Sequence, residues 1–92
     1  MLVYKLDPIW GKEGHGDWQF STLAPTPVWV RADNPDHARR RIHLATRTEL
    51  ISAEGIKAPW INAQLVKCIE DTSFDVPTDV AFLANGKITI KL

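Results

Sequence analysis

The feature that most constrains the fold is one amphipathic segment, residues 35–48, which follows directly on a short β-strand. Along this segment Ala38, Ile42 and Ala45 recur on one narrow side of a helix. The other apolar segments alternate with a period of two, which is typical of strands. Since one helix covers only one face of a sheet, the pattern predicts an α+β domain whose second face needs a separate cover.

The predicted helix has a clear start and a basic outer side. Asn34 is a residue type that caps helices, and Pro35 suits the first helical position because its missing N–H is no loss there. Asp36 lies in the first turn, where the helix dipole favours an anion. The side opposite the alanines carries four basic residues: Arg39, Arg40, His43 and Arg47.

The strands are predicted from alternation and from the turn residues between them. Five segments have this character: residues 2–6, 28–32, 65–69, 80–84 and 87–92. Between the last two, Asn85-Gly86 tolerates the positive φ angles that a tight hairpin requires. Pairing across this turn sets Leu83 opposite Ile88. It also sets Ala81 opposite Ile90.

The long connection of residues 9–27 is long enough to cover the second face of the sheet, and a second copy of the chain is the alternative cover. Pro8 is expected to end the first strand, and the connection after it carries two of the four tryptophans. Trp29 alternates to the face away from the helix, where this connection would meet it. The full prediction is a mainly antiparallel sheet of 4–5 strands with one helix packed on one face, in the order β-loop-β-α-β-β-β, within a single domain of residues 1–92.

Composition argues against several classes of protein. Lys plus Arg number 11 and Asp plus Glu number 11, a balance that does not suit a protein that coats nucleic acid. Cys68 is the single cysteine, so no internal disulfide indicates secretion. The first residues lack the pattern of a signal peptide, and no apolar run reaches the roughly 20 residues that span a bilayer. The expectation is a cytoplasmic protein without membrane association.

No catalytic, cofactor or metal site is predicted. His37 and His43 lie six residues apart in the helix and point to different sides. Cys68 lies in an apolar strand, so a buried, unreactive thiol is expected. The glycine-rich residues 11–16 lack the Gly-Lys-Ser/Thr step of a phosphate loop. The carboxylates of residues 70–79 are not arranged across a cleft, which general acid–base catalysis would require.

Several short motifs resemble those of small uncharacterised bacterial proteins of similar length. They are Leu6-Asp7-Pro8, Asp17-Trp18, Ser21, residues 28–32, Ala38-Arg39, Pro59-Trp60 and residues 65–68. The resemblance covers residues 4–70. It implies a stand-alone bacterial protein with one fold, and it supplies no activity and no site residues.

The leading hypothesis is a non-enzymatic interaction protein that docks on a protein partner or on a second copy of itself as a homodimer. The predicted contact residues are Trp29, Arg31, Arg39, Arg40, His43 and Arg47. Two alternatives stay open. One is a small inhibitor or accessory factor of a nucleic-acid-processing or defence system, such as a phage-encoded antagonist; the other is direct nucleic-acid binding through the helix arginines. An enzyme is not expected.

Overall fold

The computed structural model describes residues 1–48, 58–83 and 88–92, which form a five-stranded antiparallel sheet and one α-helix. The elements are β1 (Leu2–Pro8), β2 (Val28–Ala32), α1 (Pro35–Thr46), β3 (Val66–Glu70), β4 (Val80–Leu83) and β5 (Ile88–Lys91). The strands lie in the order β3-β1-β2-β4-β5. The predicted α+β class and element order are confirmed. Within these residues no helix is long and apolar enough to cross a bilayer.

The first strand continues through Pro8 instead of ending before it. Ile9 N donates to Leu65 O at 2.8 Å, so alternate residues of β1 direct their backbone groups toward β3. The nitrogen of Pro8 therefore faces the β2 side. Pairing with β2 ends at Leu6, so the missing N–H of the proline costs no hydrogen bond of the ladder.

The C-terminal hairpin has the predicted register. Leu83 pairs with Ile88, and Ala81 pairs with Ile90. The turn Asn85-Gly86, with the residue on either side of it, lies outside the described residues. Local turn chemistry and alternation thus predict the pairing of β4 with β5.

Helix α1 begins as its capping residues predict. The Asn34 side chain accepts a hydrogen bond from His37 N at 2.8 Å, and Pro35 occupies the first turn. The helix ends at Thr46, two residues earlier than predicted. The carbonyl oxygen of Thr46 accepts a hydrogen bond from Thr22 N. This bond fastens the end of α1 to the segment before β2.

The buried side of α1 differs from the prediction at one position. Ala38 and Ile42 are completely buried, but Ala45 is exposed and Thr46 takes its place. The buried residues Ala38, Ile42 and Thr46 are four positions apart, so they form a single i, i+4 row along the helix, and the neighbouring row that includes Ala45 is not buried. Thr46 tolerates burial because its hydroxyl donates to Ile42 O at 2.7 Å.

The connection between β1 and β2 packs on the helix side of the sheet, so the prediction that it covers the second face is wrong. Within it, Gly16–Phe20 forms a 3₁₀ turn capped by His15, whose side chain accepts a hydrogen bond from Asp17 N. Trp18 of this turn meets Trp60 edge to face, with ring centroids 5.1 Å apart. The two rings join the core beneath α1, because the long connection closes that core instead of the opposite face.

The second face is covered by the segment between β3 and β4. Phe74 meets the Trp29 ring edge to face at 4.8 Å, and Val76 is completely buried beside it. Arg31 fastens the segment, since its Nε donates to Val76 O at 2.6 Å and its Nη2 lies 2.8 Å from an Asp75 oxygen. This short acidic stretch is therefore the cover that one helix cannot provide.

Replacing Ala38 with leucine should destabilise the fold by about 1–3 kcal/mol, because the larger side chain has no space between α1 and the sheet. Ala45→Leu is the matched control, on the same helix but exposed, and should change the free energy of unfolding by less than about 0.5 kcal/mol. Urea denaturation of both variants measures the difference. Equal decreases in the free energy of unfolding of the two variants would mean that the side of α1 that packs on the sheet is assigned wrongly.

The cover of the second face should loosen in acid. Hydrogen bonds from the Ser73 hydroxyl and amide, and then from the Trp29 indole, lower the pKa of the Asp71 carboxyl. A folded-state pKa below the unfolded value means that the stabilisation is present above the unfolded pKa and is lost as the pH falls through the folded one. When the pH is lowered from about 7 to about 2.5, the urea midpoint of the wild type should therefore fall by more than the urea midpoint of Asp71→Asn. Equal decreases of the urea midpoint in the two proteins would mean that Asp71 does not contribute to the acid sensitivity.

Candidate functional site

A groove of about 440 Å³ runs along the outer side of α1. Six residues line it: Asp36, Arg39, Arg40, His43, Leu44 and Ile61. Five of them lie on α1, and Ile61 comes from the 3₁₀ turn Pro59–Ile61 that packs beside the helix. We call this feature the α1 groove.

The second wall of the α1 groove is held in place by a buried ring. Trp60 is completely buried, and its indole N–H donates to the Ser21 hydroxyl at 2.9 Å. Arg39 Nη1 donates to Trp60 O at 3.3 Å, which links α1 to the turn directly. Because Ile61 follows this anchored residue, its position beside the helix is set by core packing.

Positive charge dominates the middle and the C-terminal end of the α1 groove. Arg40 is exposed on its rim, and Arg47, one turn beyond His43, is exposed as well. Partial burial, and then the Arg47 guanidinium, lower the pKa of His43, so the imidazole is neutral near pH 7. Asp36 supplies a carboxylate at the N-terminal end, one turn before Arg40.

An apolar strip lies between these charges. Leu44 keeps 53% of its surface exposed, although it lies on the helix between two turns that carry arginines. Ile61 is half-buried across from it. An exposed leucine and a half-buried isoleucine beside guanidinium groups form a surface that suits the side chains of another protein.

The structure brings together three of the six predicted contact residues and places a fourth beside them. Arg39, Arg40 and His43 line the same groove, and Arg47 lies close enough to act on the titration of His43. The remaining arginine of the helix, Arg41, is turned the other way. Its guanidinium donates to the carbonyl oxygens of Arg31, in the central strand β2, and of Thr78, in the segment before β4, so it holds the helix and does not join the groove.

The other two predicted contact residues lie on the opposite face of the sheet, where both have partners within the chain. Trp29 is only 4% exposed, because Phe74 covers its ring and its indole N–H donates to Asp71. Arg31 is engaged within the chain by the bonds to Val76 and Asp75 described above. Alternation correctly assigned both residues to the second face, but it did not reveal the segment that covers them.

The histidines and the cysteine have local structural settings. Nδ1 of His15 and Nδ1 of His37 each accept a hydrogen bond from a nearby backbone N–H. No three potential ligands cluster as a metal site would require, as far as the described ranges extend. Cys68 is half-buried rather than buried, and desolvation raises the pKa of its thiol despite the nearby Arg39 guanidinium.

One exposed residue escaped the prediction. Trp10 is 93% exposed, whereas the other three tryptophans are buried. It lies in a tight turn in which Lys12 N donates to Ile9 O and Gly11 has a φ of 88°, a conformation that favours glycine. The sequence signal was available: Trp10 stands between Pro8 and Gly11, where the chain must turn outward.

No protein-family model, no curated protein and no solved structure matches this chain. The resemblance to small bacterial proteins therefore contributes no residue roles. The geometry and the charge of the α1 groove are therefore the basis for the roles of its residues.

Proposed function

We propose that this chain is a small non-enzymatic interaction protein that docks on a protein partner through the α1 groove. The observation that carries the proposal is the combination of exposed arginines with an exposed apolar strip on one helix side. The opposite side of the same helix is fully occupied by the core. The helix thus has one seated side and one side that is available to another molecule.

The composition of the groove supports protein binding. Arginine is enriched in the centres of protein–protein interfaces, where its planar guanidinium pairs with carboxylates and its stem packs on apolar groups. Leu44 and Ile61 supply apolar area between such groups. A volume of about 440 Å³ lies within the range of sites that hold a few side chains of a ligand.

Direct nucleic-acid binding has weaker support. A site for phosphates gains from uniform positive charge, yet the α1 groove includes the Asp36 carboxylate and an apolar strip. Lys plus Arg and Asp plus Glu are equal in number, so no overall field attracts a polyanion. A role as an inhibitor or accessory factor of a nucleic-acid-processing or defence system is compatible with the proposal, because such a factor docks on a protein.

A second copy of the chain is a less suitable partner for the groove. The acidic segment that would complement the arginines lies on the far face of the sheet, where Asp71 and Asp75 already hold Trp29 and Arg31. Contact between opposite faces of two copies is head-to-tail. Such contact does not close into a two-fold dimer and tends toward open chains of molecules.

Reversing one charge in the groove tests the proposal. A tagged wild-type chain, Arg40→Glu and Lys67→Glu are used to capture proteins from a lysate of the source organism. Lys67 is the matched control, since it is exposed on β3 and undergoes the same change of charge away from the groove. The captured partner should be about tenfold less abundant with Arg40→Glu, a difference of about 1.4 kcal/mol, and unchanged with Lys67→Glu.

Thermal denaturation of the three chains verifies that each variant is folded. Equal capture by Arg40→Glu and the wild type would contradict docking at the α1 groove. Loss of capture after nuclease treatment of the lysate would indicate that nucleic acid, rather than protein, is what the chain holds. Concentration-dependent growth in size of the purified chain would indicate self-association instead.

A further inference from the structure

We infer, on the basis of the proposed function, that the partner presents a protein segment with an aliphatic side chain between two carboxylates. The aliphatic side chain lies on Leu44 and Ile61. The carboxylates lie against Arg40 and Arg47. The inference thus specifies the chemistry of the segment that the α1 groove accepts.

The spacing of the helix residues sets this arrangement. Arg40 lies one turn before Leu44, and Arg47, the C-cap residue directly after α1, lies three residues after it, so the exposed leucine has a guanidinium on each side. At about 1.5 Å of rise per residue, the two arginines are separated by about 10 Å along the axis. About three residues of an extended segment, or two turns of a helix, span that distance.

The charges of the groove also set a limit on where carboxylates can lie. Asp36 occupies the N-terminal end of the groove and repels a carboxylate placed there. Arg39 has one N–H committed to Trp60 O, which orients its guanidinium beside the groove. Negative groups are therefore favoured from Arg40 toward Arg47, and disfavoured one turn earlier.

A phosphate-rich ligand would satisfy the arginines but not the rest of the groove. It would leave Leu44 and Ile61 without an apolar partner, and it would place charge near Asp36. A protein segment provides both kinds of group at the required spacing. For this reason the charge and the apolar strip together favour an acidic, aliphatic peptide over a nucleic acid.

The test uses a random library of 12-residue peptides displayed on phage and selected on the folded wild-type chain. Arg40→Glu serves for counter-selection, and Lys67→Glu serves as the control that should retain the selected peptides. The expected peptides carry two Asp or Glu residues around a Leu, Ile, Val or Met. In a synthetic version, changing both acids to amides, or the aliphatic residue to Ser, should each weaken binding about tenfold or more.

The outcomes separate this inference from the proposed function. Peptides that depend on Arg40 but lack the acidic pair or the aliphatic residue would overturn the inference and leave groove docking intact. Peptides that bind Arg40→Glu as well as the wild type would count against groove docking itself. No enrichment on the wild type over Arg40→Glu, or tighter binding of a single-stranded oligonucleotide than of any peptide, would also overturn the inference.

Discussion

The seating of α1 on the sheet is the contact on which the rest of the structure depends. Ala38 and Ile42 are completely buried, so the helix backbone lies close over β1, β2 and β3. On one flank Arg41 donates to the carbonyl oxygens of Arg31 and Thr78, and on the other Arg39 donates to Trp60 O. These contacts fix the rotation of the helix about its axis. The same rotation directs Arg40 and Leu44 outward.

A single helix leaves the other face of the sheet uncovered. The irregular segment between β3 and β4 covers that face. Phe74 and Val76 supply the apolar cover over Trp29, while Asp71 and Asp75 pair with groups of the sheet. These two carboxylates therefore have partners within the chain. The outer side of α1, by contrast, combines exposed charge with exposed apolar surface, which is why it is the better candidate for contact with another molecule.

Local signals in the sequence predicted most of the architecture. Alternation located the strands, Asn34-Pro35 located the start of α1, and Asn85-Gly86 predicted the register in which β4 and β5 pair. Each of these signals depends on residues close together in the chain, where sterics and backbone hydrogen bonds decide the conformation.

The errors concern contacts between distant residues. Trp18 meets Trp60 across the chain, and nothing in the local pattern of the β1–β2 connection indicates on which face it packs. In the sequence, the most visible feature of the segment that covers the second face is its acidic charge. Its position is nevertheless decided by the apolar residues Phe74 and Val76. Ala45 was assigned to the core by periodicity alone, but only one ridge of α1 fits against the sheet. The groove also escaped prediction, because Ile61 joins it through Trp60.

Docking through the α1 groove requires that one side of α1 packs on the sheet and that the other side contacts a partner. Site-specific photo-crosslinking tests it most directly, with a photoreactive amino acid placed in turn at Leu44, Ile69 and Ile88, which are exposed on three different elements. Irradiation in a lysate should yield a discrete covalent adduct from position 44, and none from positions 69 and 88. An adduct from position 69 or 88, with none from position 44, would contradict it.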